Sequence, residues 1–202
     1  GEMVVVEITR WPTAARGPVG RVVEVLGSLD TPGVDVRIIL RKHDIPDAHG
    51  DAALAEARRL GREVRPRDLA GRIDFRDRIL VTIDGEHARD FDDAVSIERL
   101  PNGHCRLGVH IADVAHYVAE ESALDREARE RGTSVYFPDR AVHMFPEDLA
   151  TGLCSLRPHV DRLVQSCLME VDARGEVVRY ELHDGVINSS ARLTYTEVNA
   201  IL

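Results

Sequence analysis

Four aspartates fall within ten consecutive positions, Asp84, Asp90, Asp92 and Asp93, between two apolar runs, Ile79–Ile83 and Ala94–Ile97. The runs read as β-strands, so the acids occupy a single strand-to-strand connection. Ionised carboxylates confined to one loop repel one another unless something positive neutralises them. Clustered aspartates are the usual oxygen ligands of hard divalent cations such as Mg²⁺. A plain acidic surface turn is the commoner use of such residues, but two features argue against it here. Phe91 sets an aromatic anchor inside the acid cluster, and both flanking runs are apolar enough to be buried. A calcium loop of the EF-hand type needs acids at alternate positions, a glycine at the sixth and a glutamate at the twelfth, and the spacing here does not supply them. Neither Gly-x-x-x-x-Gly-Lys nor Gly-x-Ser-x-Gly occurs anywhere in the chain.

With 202 residues, 44% hydrophobic and 30% charged, the chain has material for one domain, or for one and part of another, and is neither disordered nor fibrous. The net charge of -9 gives no bulk sign of a nucleic-acid partner. That charge is unevenly placed, with residues 1–80 balancing to +1 and residues 81–202 to -10. Lys42 is the one lysine among 26 basic residues. Coding bias explains this, but it leaves nearly every positive group a phosphate-matching guanidinium. Cys105, Cys154 and Cys167 show no Cys-x-x-Cys spacing, so no disulfide framework or zinc site is readable and they fit core thiols of a reducing cytoplasm. No apolar run approaches the roughly 20 residues of a membrane span, and Gly1-Glu2-Met3 does not open a signal peptide. A cytoplasmic protein without membrane contact is expected.

Three apolar runs, Val4–Ile8, Gly20–Leu26 and Val34–Leu40, separated by Pro/Gly-rich segments, are expected as short strands. Three strands are too few to close a barrel, so they read as the tail of a small β-domain whose beginning is missing. Asp51–Leu60 is Ala/Glu/Arg-rich with Gly61 after it, a helix with its stop. Eight arginines lie between Arg58 and Arg78, diluted by Glu63, Asp68, Asp74 and Asp77. A solvated linker with weak ion pairs is the favoured reading, and a phosphate-contacting strip the other. Beyond the acid loop, Asn102-Gly103 between alternating runs marks a hairpin. Ser122 and Asp125 open a helix ending at Gly132, and strands over 164–171 and 176–183 follow. Thr194 and Glu197 form a capping box for a helix that has barely begun at Leu202, so both ends are expected to be cuts in a longer protein.

The segment Thr82-Ile83-Asp84 through Asp90-Phe91-Asp92-Asp93-Ala94 resembles the start of the catalytic (RNB) domain in the ribonuclease II / ribonuclease R family of 3′-to-5′ exoribonucleases. Further family-like segments follow in order: Val109–Val114, Tyr136-Phe137-Pro138, Leu153–Pro158 and Ala191–Tyr195. The opening strands resemble the end of the cold-shock (OB-type) domain that precedes the RNB domain, and Trp11-Pro12 with Gly17–Arg21 points to the ribonuclease R side of the family. The resemblance implies an α+β chain. A remnant of an OB-type β-barrel (1–42) would come first, then a helical Arg-rich connector (43–73), then the truncated N-terminal part of a mixed α/β RNB domain (74–202).

The family's activity would be Mg²⁺-dependent hydrolysis, with Mn²⁺ as an alternative, at the 3′ end of single-stranded RNA, releasing nucleoside 5′-monophosphates. By resemblance Asp84, Asp92 and Asp93 are metal ligands, Asp92 is the residue most critical for chemistry, and Asp90 completes the catalytic cluster at the RNA 3′ end. Tyr136 matches the tyrosine that stacks on the terminal base, where an aromatic face tolerates any nucleotide. Read alone, Tyr136 is more simply a core residue, and His110, Asp113 and His116 fit a hydrogen-bonded structural site better than a metal site. The family's later residues, an arginine at the scissile phosphate and a further acid, are not in the chain, so this piece alone is expected to be inactive. The competing reading is a non-catalytic RNA-binding or scaffold member of the same fold, and a generic Mg²⁺ phosphoesterase is a third. The sequence does not reveal oligomeric state.

Overall fold

A computed structural model describes residues 1–202. In chain order the elements are β1 (Glu2–Arg10), β2 (Val19–Ser28), α1 (Val34–Lys42), α2 (Asp51–Leu60), β3 (Ile73–Asp74), β4 (Val81–Asp84), β5 (Asp93–Arg99) and β6 (Cys105–Ala112). There follow α3 (Val114–Tyr117), α4 (Ala123–Arg131), β7 (Val135–Tyr136), β8 (Ala141–Val142), β9 (Asp161–Val171), β10 (Val177–Asn188), β11 (Ala191–Thr194) and α5 (Tyr195–Ile201). The α+β class expected from the sequence is what forms. The chain divides into two compact units, one of residues 1–49 with 134–142, the other of residues 50–133 with 143–202.

In the first unit β1 and β2 pair antiparallel as a two-stranded ribbon, and β7 and β8 form a small separate hairpin. The third expected strand, Val34–Leu40, is instead the helix α1. Its β-branched residues resemble a strand, but Gly33 adopts a left-handed φ of 85° that turns the chain into a helix. One turn apart on that helix, Arg37 and Arg41 both donate to the Glu24 carboxylate, at 2.9 and 2.7 Å. Tertiary pairing has overridden the local β preference.

The second unit is built on a seven-stranded mixed sheet in the order β11-β4-β5-β6-β9-β10-β3. Its core gathers Phe75, Leu80, Phe91, Ala94, Leu124, Leu149, Leu153, Leu156 and Val164, all buried, under α2 and α4. Asn102-Gly103 turns β5 into β6 as expected, with Gly103 at φ 84°. Ser122 caps α4 by accepting from the Asp125 N–H at 3.2 Å. Asp125 does not close the box on Ser122 and accepts from the Glu121 N–H instead. The Thr194/Glu197 box on α5 closes in both directions.

The arginine stretch is only partly the solvated linker its sequence suggested: Arg58, Arg59, Arg62 and Arg67 are exposed, while others are tied into the fold. Arg72 is buried and donates to Asp113 at 2.6 Å, with side-chain exposures of 8% and 5%. Arg65 pairs with the buried Asp68, and Arg76 bridges Asp74 and Asp161. Arg72 and Arg76 latch the segment to the sheet unit, whereas Arg65–Asp68 is a pair within the segment. His110 is fully buried between Ser96 Oγ (3.1 Å) and Ser166 Oγ (2.8 Å), and burial pushes its pKa down to about 4, so it is a neutral structural group. Asp113 accepts from the His116 N–H to cap α3. No helix is long and apolar enough to cross a membrane.

Candidate functional site

The acid loop leaves β4 at Asp84 and enters β5 at Asp93, and segments distant in sequence fix its path. The Ser155 hydroxyl accepts the Phe91 N–H at 3.1 Å and donates to the Arg89 carbonyl at 2.7 Å. The Leu156 N–H donates to the Phe91 carbonyl at 2.8 Å, and the Ala112 N–H to the Asp92 carbonyl at 2.9 Å. Phe91 itself is 8% exposed and belongs to the core, the anchor its position suggested. Buried apolar surface and buried backbone hydrogen bonds thus hold the peptide that carries Asp90, Asp92 and Asp93.

The other side of the loop is held by β11, which runs parallel to β4 with Arg192 opposite Thr82 and Thr194 opposite Asp84. The Arg192 guanidinium donates to the Gly85 carbonyl and lies over the Phe91 ring, 5.6 Å from its centroid. At the start of α5 the Thr196 hydroxyl donates to Glu86.

Crowding shows in the protonation equilibria. The Asp84 carboxyl is pushed up from the ordinary carboxylate range by burial first and by the charge of Asp93 next, with Asp90 adding to it and Arg192 opposing. Asp92 is likewise pushed up, first by the packing around its carboxyl and then by Asp90, Asp93 and Asp84, with His143 opposing. Solvent still reaches Asp92 from its outer side, since the residue as a whole is exposed. His143 Nδ1 lies 3.7 Å from Asp90 Oδ2, an ion-pair distance but too long for a hydrogen bond. Asp84 Oδ2 is buried with no hydrogen-bond partner in the protein. No three His, Cys, Asp or Glu side chains meet at the spacing of a ready metal shell. An unsatisfied buried carboxylate oxygen within an all-carboxylate donor set nevertheless fits a hard divalent cation.

The four predicted aspartates thus lie on one loop within reach of one another's charge, without converging into a closed shell. Tyr136, in β7, belongs to the other compact unit and is 65% exposed, which is not the core tyrosine of the simpler reading. Ser155, Arg192 and His143 were not singled out from the sequence. The first two lie in segments whose family likeness was legible, Leu153–Pro158 and Ala191–Tyr195, but nothing local reveals that they fold back on the acids.

Residues 72–202 match the RNB domain family and residues 1–49 the cold shock domain. Ribonuclease R of Escherichia coli (strain K12) is 51% identical over the whole chain, which spans 25% of that relative's length. Among solved structures, Mycoplasma genitalium RNase R in complex with double-stranded RNA superposes over 99% of the chain and 35% of its own, at 31% identity and a TM-score of 0.92. Yeast Ssd1, a pseudonuclease, shares the fold at 23% identity and a TM-score of 0.80, over the whole chain and 26% of its own. The chain thus spans about a quarter to a third of these proteins, and it belongs to the RNB domain family.

Proposed function

We propose that this chain is part of a hydrolytic 3′-to-5′ exoribonuclease that releases nucleoside 5′-monophosphates, and that the chain alone has little or no activity. The observation that carries the reading is the acid loop itself. Four carboxylates are held together by Ser155, Arg192 and a buried Phe91 although burial and mutual repulsion raise Asp84 and Asp92. A loop with no need for a cation gains nothing from that repulsion.

Asp84, Asp92 and Asp93 would hold Mg²⁺, or Mn²⁺ in its place, with Asp84 Oδ2 the oxygen still lacking a partner. The chemistry such an ion supplies when bound is polarisation of the phosphoryl oxygen and a lowered pKa for the attacking water. The protein's part is positional. Backbone hydrogen bonds to Ser155, Leu156 and Ala112 fix the peptide that carries Asp92 and Asp93, and the β4–β11 pairing fixes Asp84, so little reorganisation is needed during reaction. Asp90 would face the RNA 3′ end and Tyr136 would stack on the terminal base. The Escherichia coli and Mycoplasma genitalium relatives are ribonucleases R, the latter also solved with ribose methylated single-stranded RNA, which supports an RNA substrate. The division proposed for the parent is a cold-shock part over 1–42, a connector over 43–73 and the start of the RNB domain over 74–202.

Labelled poly(A) incubated with Mg²⁺ tests both halves of the proposal. Degradation to mononucleotides by the full protein and none by the 202-residue chain is the expected result. Vigorous degradation by the chain alone would sink the claim of inactivity, and an inert full protein would sink the exonuclease. A scaffold reading is kept in view because a pseudonuclease shares this fold. In that case Asp92→Asn would change nothing measurable in the full protein.

A further inference from the structure

A cavity of 290 Å³ opens on the sheet where β3, β6, β9 and β10 adjoin, and it is separate from the acid loop. Strand register separates the two. Residues opposed across antiparallel strands share a face. Asp93, Ile111, Gln165 and Asp184 form one such row, while Ser96, Gly108, Leu168 and Glu181 form a row of the other parity. The cavity takes its walls from that second face, and from strands on the far side of β6 from β4.

Its chemistry is two-sided. Leu168 and His183 give the accessible apolar floor, backed by Phe75, which is buried at 2% exposure with its ring 6.3 Å from the His183 ring. Arg78, Arg106 and Arg179 stand around it. Arg106 is paired with Glu98 at 3.0 Å and Arg179 with Glu170 at 3.0 Å. Arg78 has no carboxylate partner. Its guanidinium lies over the Phe75 ring, 5.1 Å from the centroid, and its charge reaches the buried His110. Lying over the ring leaves the N–H edge of that guanidinium available for a bidentate oxyanion such as a phosphate. Glu181, 3.3 Å from His183, adds an exposed acceptor beside the cation.

We propose that this cavity binds a small nucleoside phosphomonoester, with its phosphate on Arg78, its base on the Leu168–His183 floor and its ribose hydroxyls toward Glu181. An unpaired guanidinium asks for an anion, the floor for a flat apolar body, and the carboxylate for hydroxyl donors; a nucleoside monophosphate combines the three. The volume, just under the roughly 300–1,000 Å³ of ordinary ligand cavities, has room for one mononucleotide at most and not for an extended strand. Of the eight arginines between 58 and 78, Arg78 is the one at which the phosphate-contact reading survives. The inference does not rest on the function proposed for the acid loop.

The test is calorimetric titration of AMP into the 202-residue chain in EDTA, with adenosine, inorganic phosphate and a 5′-phosphorylated oligoribonucleotide as comparators. AMP is expected to bind, adenosine and phosphate at least tenfold more weakly, and the oligonucleotide more weakly than AMP. Arg78→Gln should weaken AMP at least tenfold, Asp92→Asn should leave it unchanged, and the Leu168 methyl resonances should shift on addition of AMP. Ile73→Trp, placed at the cavity wall, should block binding without altering charge. Absence of AMP binding at millimolar concentration would overturn the proposal. So would tighter binding of the oligonucleotide, loss of binding in Asp92→Asn, or unmoved Leu168 methyls. An inert full-length enzyme would leave these measurements untouched.

Discussion

Ser155 and Phe91, 64 residues apart, are joined by a hydrogen bond of 3.1 Å in which the serine Oγ accepts the Phe91 N–H, and the same hydroxyl donates to the Arg89 carbonyl at 2.7 Å. Ser155 has no exposed surface, so its removal leaves a buried N–H and a carbonyl unpaired. Ser155→Ala should cost about 1–3 kcal/mol in urea unfolding. In the full protein it should also lower kcat, because the freed peptide carries Asp90 and Asp92. Unchanged stability and turnover would show that the loop is held by Phe91 packing alone.

Arg72 and Asp113 form the most buried ion pair of the arginine stretch, at 2.6 Å. Arg72→Met leaves the Asp113 carboxylate buried without its counter-charge, and a loss of about 3–5 kcal/mol is expected by chemical denaturation. Arg72→Met with Asp113→Asn should recover much of that loss, since the uncompensated charge goes with it. A single substitution costing under about 1 kcal/mol would mean the pair behaves as an exposed one.

Acid pH should act in two opposed windows on the metal-free chain. Asp84 and Asp92 have pKa values raised above their unfolded ones, so the native state binds more protons and their ionisation destabilises it. Stability should therefore rise as pH falls from neutral through their folded values. Asp68, held down to about 2 mainly by Arg65, contributes stability that is complete above the ordinary carboxylate value and is lost as pH falls from there toward 2. His110, held down to about 4 by burial, opposes the rise from Asp84 and Asp92, because the unfolded chain takes up its proton first as pH falls through the ordinary histidine value. The Asp92 contribution is therefore read as a difference: Asp92→Asn should melt higher than the parent at neutral pH by a margin that shrinks as pH falls, and a margin independent of pH would contradict the assignment.

Asp92→Asn in the full protein should abolish turnover while RNA affinity, read by fluorescence anisotropy, is kept. Loss of RNA binding in step with activity would move Asp92 from chemistry to substrate grip.

Local sequence exposed the parts of this chain that are governed locally. The acid loop lay between two apolar runs, the β5–β6 turn was written in Asn102-Gly103, and α5 was announced by Thr194 and Glu197. Val34–Leu40 misled because β-branched residues set the local preference while Gly33 and the distant Glu24 decided the outcome. The arginine stretch misled similarly, because the partners that bury Arg72 lie at Asp113 and Gly185. At the site the acids were legible as a cluster, but the groups that hold them, Ser155 and Arg192, reach them only through tertiary folding.

The parallel pairing of β4 with β11 sets an order on how the molecule is made. Val81–Asp84 meets Ala191–Thr194 across more than a hundred residues of intervening chain, whereas the β5–β6 and β9–β10 hairpins close over short turns. Short closures come first and a long one only after both ends have been synthesised. On a ribosome the acid loop would stay unclamped until Arg192 emerges, and pulse-labelled amide exchange should find the hairpins protected before β4. A loop clamped this late has no fixed path while Ala191–Thr194 are still to be synthesised.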